Sequence, residues 1–420
     1  MLPATAAHSF MLRVLMRSLC ILAVAMLLVS CSREYVDVRK KRVEEINKAD
    51  SINIAIIWDK RTAKDFLLVE GSTMAADEIN SQSGVLGRPV KLKFFYSEND
   101  TDELRLAKQI AKDTSLAAVI GHRSSTNAIL ASVTYEYCGL LYVSPSASNI
   151  NLTNHNFEYT FRSIPSDHQA SKGIAKLMMS QGHIKIAVID DRTLYGKGVA
   201  DDVTESLSDL GLNMVVRRFY TLGTTDYKPL CAELLRHDFD AIFLGAILPQ
   251  AAYFISEARQ MGLYQQVYGG HAMDSMALER IGGKAALGTV VATYYNPDRD
   301  SPVTKKFISN FEKRYRKPPD TRAALFYDSM NLIIEAMKLS KTAEPAVVAS
   351  HLRYLTDFQG VTGNFSFNIQ GDPVGKESYF KYLGHNGFAP LAAPVESHKD
   401  KSVTDGQALL KPIGSPRGEL

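Results

Sequence analysis

The chain reads as an α/β protein in which one doubly wound, parallel-sheet architecture occurs twice. Three observations predict this. Short, nearly continuous apolar runs alternate with stretches of helical spacing; hydroxyl- and glycine-rich segments follow several of those runs; and 45% hydrophobic with 22% charged residues over 420 positions is ordinary globular composition. That length leaves room for two or three globular units, and the composition argues against a polytopic membrane protein or wholesale disorder.

The first series opens with a strand over Ser51 to Trp58, then a helix over Phe66 to Asn80 with Leu67, Met74, Ala75 and Ile79 on one face. Val90 to Tyr96 is the next strand and Leu104 to Ala111 the next helix. Leu116 to Ile120 (strand), Asn127 to Tyr137 (helix) and Leu140 to Ser144 (strand) complete the series. A second series follows Arg162, with helices over 167–181, 195–209, 227–236 and 249–261. Strands over Ile184 to Asp190, Leu212 to Phe219 and Asp240 to Gly245 separate them. Strands that are apolar throughout, joined by helices, imply parallel sheets covered on both faces.

The amino terminus has the form of an address. Residues 1–30 hold Arg13 and Arg17 and no acid, and the apolar run from Leu19 to Val29 is too short to span a bilayer but suits the h-region of a secretory signal. It ends in Leu28-Val29-Ser30-Cys31, which resembles a bacterial lipobox; cleavage before Cys31 and lipidation of its thiol would make this an exported bacterial lipoprotein, anchored and facing the periplasm or cell exterior. An uncleaved anchor or a plain secretory signal are the alternatives. Residues 31–50, polar and with the basic run Arg39-Lys40-Lys41-Arg42, read as a tether whose cations approach anionic headgroups. Residues 393–420 read as a disordered polar tail. Of the four cysteines, Cys138 and Cys231 remain beyond this region, and both are expected as buried thiols.

The net charge is +3, and the signal accounts for 2 of it, so the remaining 390 residues are close to neutral. Nucleic acid is therefore not an expected partner. No phosphate loop, H-E-x-x-H, C-x-x-C or G-x-S-x-G elbow occurs, and the ten histidines are scattered singly, so no enzyme chemistry, cofactor or metal is expected. Asp190-Asp191 could be an acid/base pair, but reads better as a strand-end turn.

Ligands of doubly wound sheets bind beyond the carboxyl ends of the strands. Two segments there, Gly121-His122-Arg123-Ser124-Ser125-Thr126 and Ser144-Pro145-Ser146-Ala147-Ser148-Asn149, offer amides and hydroxyls suited to a small anion. Each also has a plainer reading, Ser124 or Ser125 as a helix cap and 146–149 as a turn.

These segments belong to an ordered set of motifs: Glu70-Gly71 to Asn80, Gly84 to Val90, Ala118 to Gly121, Val143 to Ser148, Phe161 to Asp167, Asp190 to Gly198, Ala324 to Ser329 and Phe358 to Asp372. Over roughly Ile52 to Leu391 the set resembles the branched-chain amino acid (Leu/Ile/Val)-type substrate-binding proteins of ABC transporters, with the type I periplasmic binding fold. The resemblance implies two Rossmann-like lobes joined by a hinge, an N-terminal lobe from 51–163 and 293–373 and a C-terminal lobe from 164–292 and 374–392. It implies capture of an amino acid or other carboxylate-bearing ligand in the interlobe cleft, with an ABC permease as a possible partner.

Carried over by position, the carboxylate partners fall on Ser125, Ser146 and Ser148, with Ala147 between them also in the ligand-binding set, the second lobe's aromatic on Tyr195, and an aromatic wall on Phe66 and Trp58. Arg162 matches a hinge-pairing residue. His271 stands at or beside the place of an acidic residue that receives an ammonium; a neutral imidazole lacks that charge, which leaves organic or aromatic acids and peptide-like ligands open beside leucine. Asp274 is an alternative acid. A sensor or regulatory lipoprotein of the same fold, with a vestigial cleft, is the other reading.

Overall fold

The computed structural model describes residues 35–391. The signal, the lipidation site at Cys31 and the tail lie outside the described residues. The first described element is α1 (residues 35–48). The first sheet and its helices comprise β1 (Ile52–Asp59), α2 (Lys60–Ala63), α3 (Leu68–Ser81), β2 (Val90–Ser97), α4 (Asp100–Lys112), β3 (Leu116–Gly121), α5 (Ser125–Cys138), β4 (Leu141–Ser144) and β5 (Thr160–Arg162). The strand order is β2-β1-β3-β4-β5, all parallel. Parallel partners on both sides, with helices above and below, explain why the β1 sequence INIAIIWD is apolar almost throughout.

The second series runs α6 (Asp167–Ser180), β6 (Lys185–Asp190), α7 (Leu194–Asp209), β7 (Asn213–Phe219), α8 (Lys228–Leu234), β8 (Ala241–Gly245), α9 (Gln250–Gln260), β9 (Gln266–Gly269), α10 (Ala277–Gly282) and β10 (Val290–Thr293). After it come α11 (Pro302–Tyr315), α12 (Thr321–Ser340), α13 (Pro345–Arg353), β11 (Phe358–Gly360), β12 (Gly363–Phe367), β13 (Pro373–Val374), β14 (Tyr379–Gly384) and β15 (Gly387–Leu391). The second sheet has the order β15-β14-β10-β9-β8-β6-β7, and β14 and β15 join it antiparallel. A separate three-stranded sheet holds β11, β12 and β13.

Helix α12 returns to the first sheet. Its Phe326, Met330, Ile333 and Met337 share one core with Ile54 and Ile56 of β1 and Ala75 and Ile79 of α3. Gly71 makes the α3–α12 approach possible, because a Cβ there would lie 2.2 Å from the Ala323 carbonyl oxygen. The chain thus passes between the two sheets after β5, after β10 and after β13.

Strand order reverses between β1 and β3 in the first sheet and between β6 and β8 in the second. The loops leaving those four strands are where a ligand crevice is expected. They carry Phe66, Arg123 to Ser125, Asp191 to Tyr195 and Ala246 to Leu248.

Residues 35–48 correct the tether reading. They form a packed helix in which Arg42 has no solvent exposure and donates to the carbonyls of Asp113 (2.9 Å), Leu116 (2.7 Å), Cys138 (3.3 Å) and Ala111. Arg39 donates to Glu136 O and Tyr137 O at 2.6 and 3.0 Å, and Ile46 enters the first-sheet core. Tyr35, Arg39, Arg42 and Ile46 recur at helical spacing, and the two guanidiniums close the carbonyl ends of α4 and α5. An arginine stripe took the place of an apolar one, so the amphipathic pattern looked merely polar. Burial lowers the Arg42 pKa to about 10. Cys138 and Cys231 are both buried.

Candidate functional site

A buried polar network sets the loop after β3. His122, with φ of +58°, places Nδ1 2.8 Å from Glu103 Oε1 and Nε2 2.8 Å from the Tyr135 hydroxyl. Glu103 Oε2 accepts from Ser97 and Asn127. Ser124 is the cap of α5, accepting from the Asn127 amide at 3.2 Å, which leaves Ser125 as the first helical residue, buried.

The loop after β4 lies against it. Ser146 Oγ donates to the Arg123 carbonyl at 2.9 Å, and Ser148 Oγ is buried without a hydrogen bond of ordinary geometry. Ala147 is the exception among the expected ligand residues: its side chain packs into the lobe core and its amide donates to Ser144 Oγ at 3.0 Å. Phe66 packs edge-on against Trp58, but Trp58 itself is a core residue wedged between Phe66 and Phe326, not a cleft wall.

The second lobe meets this loop directly. His271 Nε2 lies 3.1 Å from the Ser146 carbonyl and so carries the ring proton, and its ring sits 5.2 Å from that of Tyr195 and 5.1 Å from that of Tyr294. Burial, then the nearby Arg322 charge, holds the His271 pKa well below its ordinary value, so the ring is neutral. The Tyr195 hydroxyl accepts from the Ala272 amide at 3.4 Å. Arg123 reaches across to the Leu248 carbonyl (2.8 Å), and Asn149 to the Leu194 carbonyl (2.8 Å). Ser125, Ser146, Ser148, Tyr195 and His271 thus meet in a closed cleft, each 5% exposed or less.

Two residues to which the sequence reading gave no role stand in the same place. Arg322, in the first turn of α12, is 4% exposed; its Nη1 reaches the Pro145 carbonyl at 3.4 Å and its Nε is buried without a partner. Its guanidinium lies 5.7 Å from the Phe66 ring centroid. A lone arginine directly before the apolar run Ala323 to Phe326 was the available signal. Asp167 is 2% exposed, its Oδ2 has no hydrogen bond, and burial raises its pKa to about 7, tempered by the adjacent Ser148 hydroxyl and Arg162. The site therefore holds a carboxyl group although His271 occupies the position where the resemblance implies one. The alternative acid, Asp274, is engaged already, accepting from Thr321 Oγ1 at 2.7 Å and pairing with Lys381.

Other motif residues are structural. Arg162 donates to Ser148 O (2.7 Å), Asn149 O (2.9 Å), Thr153 Oγ1 (2.7 Å) and Asp372, fixing the first crossing between lobes. Asp191 caps the loop before α7 through Thr193 and accepts from the Ile247 amide, while Asp190 pairs with Arg217. A cavity of about 1210 Å³ opens between the lobes beside Phe66, Asp274, Asp320 and Thr321, and its walls include none of Ser125, Ser146 and Ser148.

Known proteins share this architecture. A leucine-, isoleucine-, valine-, threonine- and alanine-binding protein of Pseudomonas aeruginosa is 26% identical over 304 residues, 72% of this chain and 81% of that one. A Leu/Ile/Val-binding protein homolog of Brucella suis is 28% identical over 307 residues, 72% and 82% of the two chains. The solved ABC transporter substrate-binding protein of Desulfitobacterium hafniense in complex with Leu is 30% identical, with a TM-score of 0.73 over 81% of this chain and all of that one. The family model described as periplasmic binding protein matches residues 51–380. With two sheets facing each other across a closed cleft, and with that match, the chain belongs to the periplasmic binding protein family.

Proposed function

We propose that this protein captures a carboxylate-bearing small solute, in the first instance an amino acid, by closing its two lobes over it, and presents the closed form to an ABC permease. The observation that carries the reading is the set of hydrogen bonds meeting at the loop Ser144–Asn149. His271 bonds across the cleft to its Ser146 carbonyl, Asn149 reaches from it to the Leu194 carbonyl, Arg123 bonds the Leu248 carbonyl beside it, and Ser125, Ser148, Asp167 and Arg322 add unspent or weakly engaged polar groups. Relatives named for amino acid binding support it.

Native mass spectrometry of freshly purified protein, then a thermal-shift screen of amino acids and organic acids, tests capture. A co-purifying ligand or a stabilising one is expected; neither at millimolar concentration refutes it. Replacing both Ser125 and Ser148 by alanine should abolish affinity without unfolding the chain, and unchanged affinity would remove these serines from the site. Lipid on Cys31 holds the protein at the membrane in this reading, so a fatty-acid label must vanish in Cys31→Ala. The cross-lobe bonds occlude the serines, which also favours a second reading, an envelope sensor or regulatory lipoprotein with a vestigial cleft; ligand capture in the same screen would exclude the vestigial cleft.

A further inference from the structure

We infer that the cleft is built for an acidic α-amino acid, a solute with two carboxylates and one ammonium, an inference that rests on the reading of the cleft as a solute site. Two charged residues, Arg322 and Asp167, meet the loop Ser144–Asn149, a third, Arg123, stands beside it, and none forms an ion pair among the described residues. Arg123 is partly buried and spends one Nη on the Leu248 carbonyl. Arg322 is buried, has one long bond to the Pro145 carbonyl and leaves Nε without a partner. Asp167 leaves Oδ2 without one, and its backbone amide bonds the Ser148 carbonyl at 2.9 Å. Tyr195 and Tyr294 lie within electrostatic reach of both Asp167 and Arg322, so these opposite charges face a common space.

The other charges nearby are already compensated. Asp59 pairs with Arg61, Asp274 with Lys381, and Asp320 accepts the amides of Leu67 and Ala323. Across the cleft His271 is neutral and contributes no charge. At the loop Ser144–Asn149 itself, two cations and one anion remain, while Asp274 and Asp320 act on Arg322 from the α12 side. A solute with two anionic groups and one cationic group complements that set, whereas a neutral-side-chain amino acid leaves the Arg322 guanidinium with only the lysine-paired Asp274 and the amide-bonded Asp320 as opposing charges, which is costly. Arg322, stacked over Phe66 and adjoining the cavity beside Thr321, is placed for the side-chain carboxylate, and a guanidinium suits a carboxylate's paired oxygens. Asp167 receives the ammonium.

Isothermal titration of the full mature protein at pH 7.5 and low salt with L-glutamate, L-aspartate, L-leucine and glutarate tests this. An acidic amino acid should bind at least about 100-fold tighter than leucine, and glutarate about 10-fold more weakly than glutamate because it offers nothing to Asp167. Arg322→Met should bring the acidic ligands down to the leucine level with its melting curve intact; should that variant unfold, the wild-type ranking decides alone. Leucine binding as tightly as the acidic ligands overturns the inference and leaves solute capture standing. Glutarate equal to glutamate overturns the role of Asp167. Failure of every amino and organic acid to bind overturns both the inference and the reading beneath it.

Discussion

Replacing Asp167 by asparagine should make the empty protein more stable, by an amount that grows as pH rises from 3.8 to about 7 and is largest at alkaline pH. The carboxyl is buried at the start of α6, one oxygen lacks a hydrogen bond, and its pKa is pushed up to about 7 from 3.8, mainly by burial. The sign follows from linkage: a carboxyl whose folded pKa is raised contributes stability that is fully present below its unfolded pKa, and this is lost as pH rises through about 7. A shift of roughly 3 units corresponds to about 4 kcal/mol between the two limits. The ionised form regains up to about 1 kcal/mol from the amino end of α6, so Asp167→Asn gains about 3 kcal/mol at pH 8. For a chain of this size that raises the melting temperature by about 4 °C. Asp320 and Asp328 are also raised by burial, but they titrate in both proteins and cancel in the difference. Calorimetry of ligand-free wild type and variant at pH 5 and pH 8 measures it. No gain at pH 8, or the same gain at both, would refute the assignment.

Three further outcomes follow from packing. Arg42→Met removes donors from the carbonyls of Ala111, Asp113, Leu116 and Cys138 and should lower stability in urea by about 3 kcal/mol or more; an unchanged midpoint would restore residues 35–48 to a tether. Gly71→Ala puts a Cβ 2.2 Å from a backbone oxygen of α12, so a loss of about 2 kcal/mol or more is expected from the same titration, and a neutral result would mean that α3 and α12 can separate at no cost. Asp65 accepts from Arg280 (2.6 Å) across the mouth of the cleft, with the arginine half exposed. Asp65→Ala should therefore change ligand affinity by no more than about 5-fold, and a larger loss in titration calorimetry would show that this exposed latch dominates closure.

How much of this was legible in the sequence depended on whether a residue's role was local. The strands were, because apolar runs such as INIAIIWD can be satisfied only in the middle of a covered sheet. The placement of Ser125, Ser146 and Ser148 on the loops after β3 and β4 was, because those segments directly follow apolar strands, and Tyr195 and His271 were located by motif order. Residues 35–48 were misread because arginines fill the inner face of the helix, and a buried guanidinium bonded to helix-end carbonyls has the composition of a solvated tail. Arg322 was missed because its purpose depends on the loop after β4, more than 170 residues earlier in the chain. Ala147 fell into the list with its neighbours, and only the turn geometry shows that its amide belongs to Ser144.

The charges that escaped the sequence reading also bear on how the lobes move. Closing over nothing buries the Arg322 guanidinium and the Asp167 carboxyl without partners, and brings a second guanidinium, Arg123, beside the first. Each uncompensated buried ion carries a penalty of several kcal/mol after relaxation, whereas the cross-lobe bonds from His271, Arg123 and Asn149 return about 1 kcal/mol apiece. The sum disfavours an empty closed cleft. A solute that supplies the missing opposite charges removes the penalty and leaves the cross-lobe bonds as net gain, so closure reports occupancy through electrostatics as well as contact. The solute's chemistry, not its size alone, then decides whether the lobes meet. A size-matched neutral solute should therefore leave the lobes apart in small-angle scattering, where the charged one draws them together.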